Sequence, residues 1–489
     1  MTEQGGVKTG YRACLVAALL SALAPGLGHL AIKAKWKPLT IAAAVLNIAA
    51  MVTVLVIVAP MRSRRDLADV IGNRSVFIAL GVGLLVLAAT RLWATLDSAW
   101  IARPVNAATT ADATDDDATP GTVRRGVQIA AVFTTALIVV AAVAPLTVAA
   151  NYVWQTDRMI EKVFASHDAT TANPSPIDTT GDTLDPSTTA PPFPGVDRVN
   201  VLLLGGDAGK GRPGLRTDSM IVVSIDPTTG DTAMVSVPRN LPAMPFAPGT
   251  AMAERFPKGF DNIANAVYGY ADKHRELMGG VADAGAQAIK SGIAQLLGIP
   301  INYYVLVDMA GFRDVVDALG GIDIYVTERV PTPGNPQGSD YHAVPEYIEV
   351  GQQHMDGTMA LAYSRSRESD SDYHRMGRQR CMLSAIATAA TPKSLALGLT
   401  DLMSAFGDAV RTDIPRSKLG DFAQLIDRFS KAGGTDAVRT LHLAPPTLDT
   451  DRWRAKQVRD LVVATLTPTF TGPINLPPVL LDEQCGASN

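Results

Sequence analysis

Cysteine, histidine and the usual marks of covalent catalysis are scarce in this chain of 489 residues. Its three cysteines and seven histidines show none of the paired spacings that a zinc site needs. No H-E-x-x-H occurs and no G-x-S-x-G elbow presents a serine. Neither His374 nor His442 has a sequence partner that would mark a nucleophile system. Covalent hydrolase chemistry is therefore unsupported. The run Gly205 to Gly211 (GGDAGKG) falls short of a phosphate-binding P-loop, because its spacer is too short and Gly211 stands where Ser or Thr must hold magnesium. The apolar stretch Leu15 to Ile32 does not read as a cleaved signal peptide, since no small-residue cleavage site precedes a mature start and further apolar segments follow. The formal net charge is −4, and no nucleic-acid partner is expected.

What is abundant is apolar sequence, 47% of residues with a mean hydropathy of +0.14, and it is concentrated. Pro38 to Ala59, Val76 to Leu96 and Gly126 to Ala150 are each long enough, at about 1.5 Å per residue, to cross a hydrocarbon core of about 30 Å. Leu15 to Ile32 is also apolar, but Pro25, Gly26, Gly28 and His29 interrupt it. It stays open between a fourth span and a re-entrant or interfacial segment. Lys33, Lys35 and Lys37 before the second apolar segment and Arg124 and Arg125 before the last put those flanks in the cytoplasm, and the large C-terminal part outside. Arg62, Arg64, Arg65 and Arg74 run against that topology. Asp115, Asp116 and Asp117 sit in a Thr/Ala/Asp-rich loop and read as a solvated linker rather than a metal site.

Residues 1–150 thus form a membrane region with three or four segments. Residues 151–196 form a stalk and a Thr/Pro-rich linker too polar to fold. From Asp197 to Asn489 the pattern changes to alternating strands and helices. Val199 to Leu204 is a continuous apolar run ending in Gly205-Gly206, as a buried strand would be. Ser219 to Ile225, Thr232 to Val237, Tyr303 to Val307 and Ile322 to Val326 repeat that form. Ala284 to Leu297, Ala310 to Leu319, Cys381 to Ala390 and Lys418 to Phe429 read as helices, and the last, with Asp451 to Leu466, is expected to cover the sheet. The order predicts a layered α/β domain with a mostly buried sheet. Cys381 and Cys485 fall where a disulfide can persist. Their pairing would pin the tail to the helix beginning at Cys381, and two unpaired thiols are the alternative.

The most informative stretch is Tyr363 to Arg380 (YSRSRESDSDYHRMGRQR), with five arginines and three carboxylates. Arg365 and Arg367 would project from one side of an extended segment, and Arg375 and Arg378 would share one helical face. Converging guanidinium forks suit a diphosphate better than a single carboxylate. A solvated, salt-bridged turn is the competing reading. Asp207 ends the first strand and Asp218 opens the second, so the two can hold one magnesium ion that keeps waters and takes phosphate oxygens for the rest. Turn-forming aspartates bound to local backbone are the alternative. Arg239, at the end of a third strand, adds a cation at the same edge.

Together LLLGGDAG, GLRTDSMIVVSID, VSVPRN, GIPINYYVLVDMAGFRDVVDALGGIDIYV and YSRSRESDSDYHRMGRQR resemble the LytR-CpsA-Psr (LCP) proteins, in order and with near-family spacing, from Val199 to Ala390. Ala24 to Lys37 resembles a segment found before the spans of actinobacterial members. The resemblance implies an α/β/α layered extracellular domain with a central mixed sheet behind an N-terminal all-α transmembrane region. It implies a multi-pass protein of the cell membrane that moves a glycopolymer, as a phosphosugar, from a polyprenyl pyrophosphate carrier to a peptidoglycan hydroxyl, with membrane lipid as a further partner. Asp207 and Asp218 match the Mg2+ ligands, with Mn2+ as a substitute. Arg216, Arg239, Arg365, Arg367, Arg375 and Arg378 match the positions that grip the pyrophosphate, and Gln379 joins them. Arginines and a divalent ion stabilise charge at a phosphoryl centre without a covalent protein intermediate, which accounts for the missing nucleophile. Asp207 and Asp372 are the candidate bases. The lipid needs an apolar slot, expected between the sheet and helices drawn from Ala284 to Leu319.

Two departures stand out. A lysine that precedes an Asn-x-x-Tyr-like element in the family has no clear counterpart, and Asn240 follows Arg239 where relatives carry Asp. A polyprenyl pyrophosphate hydrolase using the same site, and a non-enzymatic wall-binding or regulatory membrane protein, are the rival readings. The sequence does not name the glycopolymer.

Overall fold

In the computed structural model, residues 2–4, 7–9, 11–34, 38–59, 64–102, 121–164, 193–207, 215–332, 344–366, 372–390, 410–468, 479–480 and 485 are described. The chain divides into two compact units, Met1–Arg158 and Met159–Asn489.

The first unit opens with a short hairpin, β1 (Thr2–Gln4) and β2 (Val7–Thr9). Six helices follow: α1 (Tyr11–Leu23), α2 (Leu27–Ala31), α3 (Pro38–Val58), α4 (Arg64–Gly72), α5 (Arg74–Ile101) and α6 (Gly121–Phe164). Three apolar stretches, Pro38–Val58, Arg74–Ile101 and Ile129–Glu161, are long enough to cross a membrane. The segment left open by the sequence is two short helices, broken at Gly26 in the left-handed region (φ 96°). At 13 residues, α1 reaches only about 20 Å. The helices approach through small residues, as helices without a hydrophobic drive between them do. A Cβ on Gly83 would lie 3.0 Å from Val54 Cγ2. Asn47 Nδ2 donates to Thr90 Oγ1 at 2.8 Å, while His29 Nε2 lies 2.9 Å from Asp97 Oδ2, which also accepts from Thr40 Oγ1.

Among the described residues the second unit has eleven strands, seven of them in one mixed sheet. In chain order the strands are β3 (Val199–Gly206), β4 (Thr217–Ile225), β5 (Thr232–Ser236), β6 (Tyr303–Asp308), β7 (Ile322–Val326), β8 (Val330–Pro331), β9 (Tyr347–Ile348), β10 (Gly351–Met355), β11 (Val410–Thr412), β12 (Arg439–His442) and β13 (Val479–Leu480). The helices are α7 (Ala251–Arg255), α8 (Val267–Lys273), α9 (Ala284–Leu297), α10 (Met309–Ala318), α11 (Gly357–Arg365), α12 (Asp372–Ala389), α13 (Leu419–Lys431) and α14 (Ala455–Leu466). The sheet runs β11-β6-β3-β4-β5-β12-β13, with β3 parallel to β6 and β5 parallel to β12, and the other neighbours antiparallel.

Apolar side chains on both faces explain the continuous runs of the strands. Leu202, Leu204, Val222, Tyr304 and Leu306 pack on one face, with Ile289, Ile293 and Leu296 of α9 and Val458 and Val462 of α14. Leu203, Val305, Val223 and Ile221 face the other way, toward Phe422, Leu425 and Phe429 of α13 and Leu383 of α12. The sheet is therefore the middle layer of three.

Two expectations change here. The segment 322–326 is a strand, but it pairs with β10 in a separate two-stranded sheet, and its residues alternate between buried and exposed. Asp323 and Tyr325 in that strand are why it belongs to a one-sided hairpin rather than to the buried sheet. In addition, α9 covers the face opposite the cavity described below, so of the helices between Ala284 and Leu319 only α10 lines it.

Candidate functional site

The ends of several strands converge at one edge of the sheet. β3 finishes in two glycines, and the β3–β4 register shifts between them. A Cβ on Gly205 would come within 2.8 Å of the Ser219 Cβ, so the close strand pairing requires glycine there. The bulge re-aims the chain, and Asp207 N donates to Arg216 O at 2.9 Å just beyond the ladder. Asp207 and Asp218 thereby sit on adjacent strand ends and line one cavity of about 350 Å3.

Asp218 is held from three sides. Arg239 Nη1 donates to its Oδ1 at 3.0 Å and Asn265 Nδ2 to the same oxygen at 3.1 Å, while Arg375 Nη2 reaches its backbone carbonyl at 3.3 Å. Burial by itself raises the Asp218 carboxyl, but Arg239, Asn265 and Arg375 outweigh it and hold the group below the usual carboxylate range. It stays ionised, with Oδ2 left over for a cation. Among the described residues no three His, Cys, Asp or Glu side chains gather in metal-binding geometry. Asp207 and Asp218 are the two carboxylates on the adjacent ends of β3 and β4. That pair fits magnesium, which takes one or two carboxylates and leaves its other positions to water and phosphate, and it does not suit zinc.

The opposite wall comes from α11 and α12. Asp356 caps α11 by accepting from Met359 N at 2.8 Å, and the close packing of α11 on α10 needs Gly357, whose added Cβ would fall 2.2 Å from Arg313 O. The helix ends at Arg365. Tyr363 to Arg365 is therefore helical rather than extended, because the apolar spacing of the preceding Met359, Leu361 and Ala362 carries the helix through it. Arg365, Arg375 and Gln379 line the cavity with Asp207 and Asp218. Ser219 Oγ, 2.9 Å from Gln379 Oε1, and the Ser364 carbonyl, 3.4 Å from Gln379 Nε2, orient the glutamine.

Arg378 departs from its expected role. It is buried, and it does not line the cavity. Its Nε donates to Tyr363 O at 3.1 Å and its Nη2 to Ser366 O at 2.6 Å. It therefore closes the carbonyl end of α11 and fixes the backbone on either side of Arg365. Arg216 is exposed beyond the start of β4 and does not border the cavity. Arg239 reaches the site through Asp218. Arg367 and the side chain of Asp372 lie outside the described residues. Asn265 was missed by the sequence reading; the signal present was its Asn-x-x-Tyr spacing to Tyr268.

Asp308 also lines the cavity, and Ile221, Val305, Val307, Phe312, Met382 and Ile386 form its apolar wall. Beneath the rim, Cys381 and Cys485 form a disulfide with Cα atoms 5.4 Å apart, which fastens α12 to the C-terminal tail.

A model of the LytR_cpsA_psr family matches residues 159–453, more than half of the chain. The polyisoprenyl-teichoic acid–peptidoglycan teichoic acid transferase TagU of Bacillus anthracis is 29% identical over 225 residues, which are 46% of this chain and 63% of TagU. TagU of Oceanobacillus iheyensis is 31% identical over 226 residues, 46% of this chain and 61% of that protein. The chain thus spans less than two thirds of the length of these relatives. The crystal structure of B. subtilis TagV is 24% identical with a TM-score of 0.40, and the match covers 60% of this chain and 99% of TagV.

Proposed function

The chain belongs to the LytR_cpsA_psr family, and on that premise we propose that it transfers a glycopolymer, as a phosphosugar, from a polyprenyl pyrophosphate carrier to a peptidoglycan hydroxyl outside the cytoplasmic membrane. One observation carries the reading: a single cavity has a rim of Asp207, Asp218, Arg365, Arg375 and Gln379 and an apolar interior. That division matches a molecule with a diphosphate at one end and a hydrocarbon chain at the other. The relatives named as teichoic acid transferases acting on peptidoglycan support the class of reaction.

In this reading the isoprenoid enters between β4, β6 and α10–α12, where burial of apolar surface contributes about 25 cal/mol per Å2. The diphosphate then lies at the rim. Arg365 and Arg375 bind its oxygens and stabilise the charge that grows on the leaving phosphate. Gln379 donates from its amide. Asp207 and Asp218 would hold Mg2+, which would supply positive charge to offset that of the diphosphate. Arg239 and Asn265 keep Asp218 ionised and oriented. The products are a phosphodiester between glycopolymer and peptidoglycan, and polyprenyl phosphate.

The test uses the full-length chain in detergent with magnesium, a polyprenyl pyrophosphate oligosaccharide and un-crosslinked peptidoglycan strands, read by mass spectrometry. A sugar phosphate joined to glycan is expected. Free sugar phosphate without a joined product would instead establish a hydrolase, and untouched donor would leave a binding protein.

A further inference from the structure

The transfer proposed above requires that the acceptor hydroxyl lose a proton, and the two carboxylates on the cation side of the site are poor recipients. Asp218 is hydrogen-bonded to Arg239 and Asn265 through Oδ1, and Asp207 is its partner in the cation pair. Among the described residues no histidine borders the cavity. His442, at the end of β12, has its Nε2 against Met376 Sδ at 3.4 Å.

A third carboxylate does border it. Asp308 ends β6, in register with Gly206 of the parallel strand β3, and lines the same cavity as Asp207 and Asp218. Among the described residues it does not join Asp207 and Asp218 in a metal-binding group of three. Its Oδ1 accepts from Gly311 N at 2.9 Å and so caps α10. The cap fixes the rotamer and leaves Oδ2 as a second, oriented acceptor on a half-buried side chain. The charged groups that share the cavity with it are Asp207 from β3, Asp218 from β4, Arg365 from α11 and Arg375 from α12.

From this placement we infer that Asp308 is the general base of the transfer, accepting the proton of the acceptor hydroxyl on Oδ2. The inference rests on the transferase reading. The hydroxyl oxygen forms a bond to the sugar-side phosphorus as its proton passes to Asp308. The bond from that phosphorus to the bridging oxygen breaks, and its electron pair leaves with polyprenyl phosphate. Asp308 then returns the proton to water. The carboxylate thus has two separable tasks, a cap through one oxygen and proton transfer through the other.

Asn and Ser cap helices about as well as Asp, but neither can take the proton. Asp308→Asn and Asp308→Ser are therefore compared with the unmodified full-length chain, with the same donor and acceptor, for thermal melting, donor binding and transfer rate. The expected result is unchanged melting and donor binding and a transfer rate reduced roughly 10²–10⁴-fold. Transfer by Asp308→Asn at the unmodified rate would overturn the inference and leave the transferase reading standing. If the unmodified chain joins no sugar phosphate to glycan, the reading and the inference fall together. Should Asp308→Ser melt early, Asp308→Asn alone decides, because its side-chain oxygen preserves the cap.

Discussion

The two units of this chain place their apolar and polar side chains in opposite ways. In the first, Val45, Leu46, Leu55, Val56, Phe133 and Leu137 are exposed, while Asn47, Thr90, Ser98 and His29 are buried and hydrogen-bonded or paired between helices. In the second, the large apolar residues fill the two faces of a sheet, and the charged residues of the site collect at one strand edge. A helix in hydrocarbon gains nothing by hiding leucine and gains by satisfying a polar group. The high apolar content of the whole chain is thus the sum of two distributions with different causes.

That contrast is broken most severely at the site. Replacing Arg375 by Ala removes a cation from the rim and the contact to the Asp218 carbonyl, and transfer is expected to fall by roughly 10²–10³-fold. A rate equal to that of the parent chain, in single-turnover mass spectrometry, would contradict the role given to the rim.

The second effect concerns covalent support, which only the globular unit has. The bridge between Cys381 and Cys485 closes a sequence separation of 104, so the double replacement by Ala is expected to destabilise that unit by about 2–5 kcal/mol. Denaturant titration before and after reduction measures this, and matching midpoints would refute it.

A pH-dependent term belongs to His442. Burial, then Arg380 and His374, push its pKa down to about 3. The folded imidazole stays neutral while the unfolded one takes a proton below about 6.5. Stability is therefore full above that pH and declines as pH falls toward about 3, at up to about 1.4 kcal/mol per pH unit. His442→Gln should flatten the decline in thermal melts between those limits. Asp218, whose pKa is lowered, adds its own loss only at the acid end.

The smallest effect sharpens the comparison from the other side. A double-mutant cycle on Asn47 and Thr90 is expected to show a coupling near 0.6 kcal/mol, measured by unfolding in micelles. A coupling of several kcal/mol would mean that the helices rely on polar contacts far more than their small-residue packing implies.

Much of the fold could be read because its signals are local. The glycine pair after an apolar run placed Asp207 at a strand end, and the span of α9 follows from Asp283 at its start and Gly298 at its end. The disulfide required proximity that no spacing reveals, although the compartment argument raised it. What stayed hidden depends on contacts between distant segments. β11 and β12 join opposite sides of the sheet, and no periodicity in their few residues says so. Arg378 belongs to the same cluster as Arg375, yet its rank at the site was decided by carbonyls at the end of another helix. Asn265 touches Asp218 only because Asn265 N is itself held by Arg239 O at 3.0 Å.

One helix, α12, carries Arg375 and Gln379 at the charged rim and Met382, Leu383 and Ile386 along the apolar wall. Over the eleven steps from Arg375 to Ile386 it rises about 16 Å. A single rigid rod thus sets the distance between the charged rim and the far end of the apolar wall. For a lipid-linked donor this makes α12 a gauge that reads only the first few isoprenyl units. Carriers differing in total length should then be handled alike, and a donor with its earliest units saturated or branched should be the one that no longer fits.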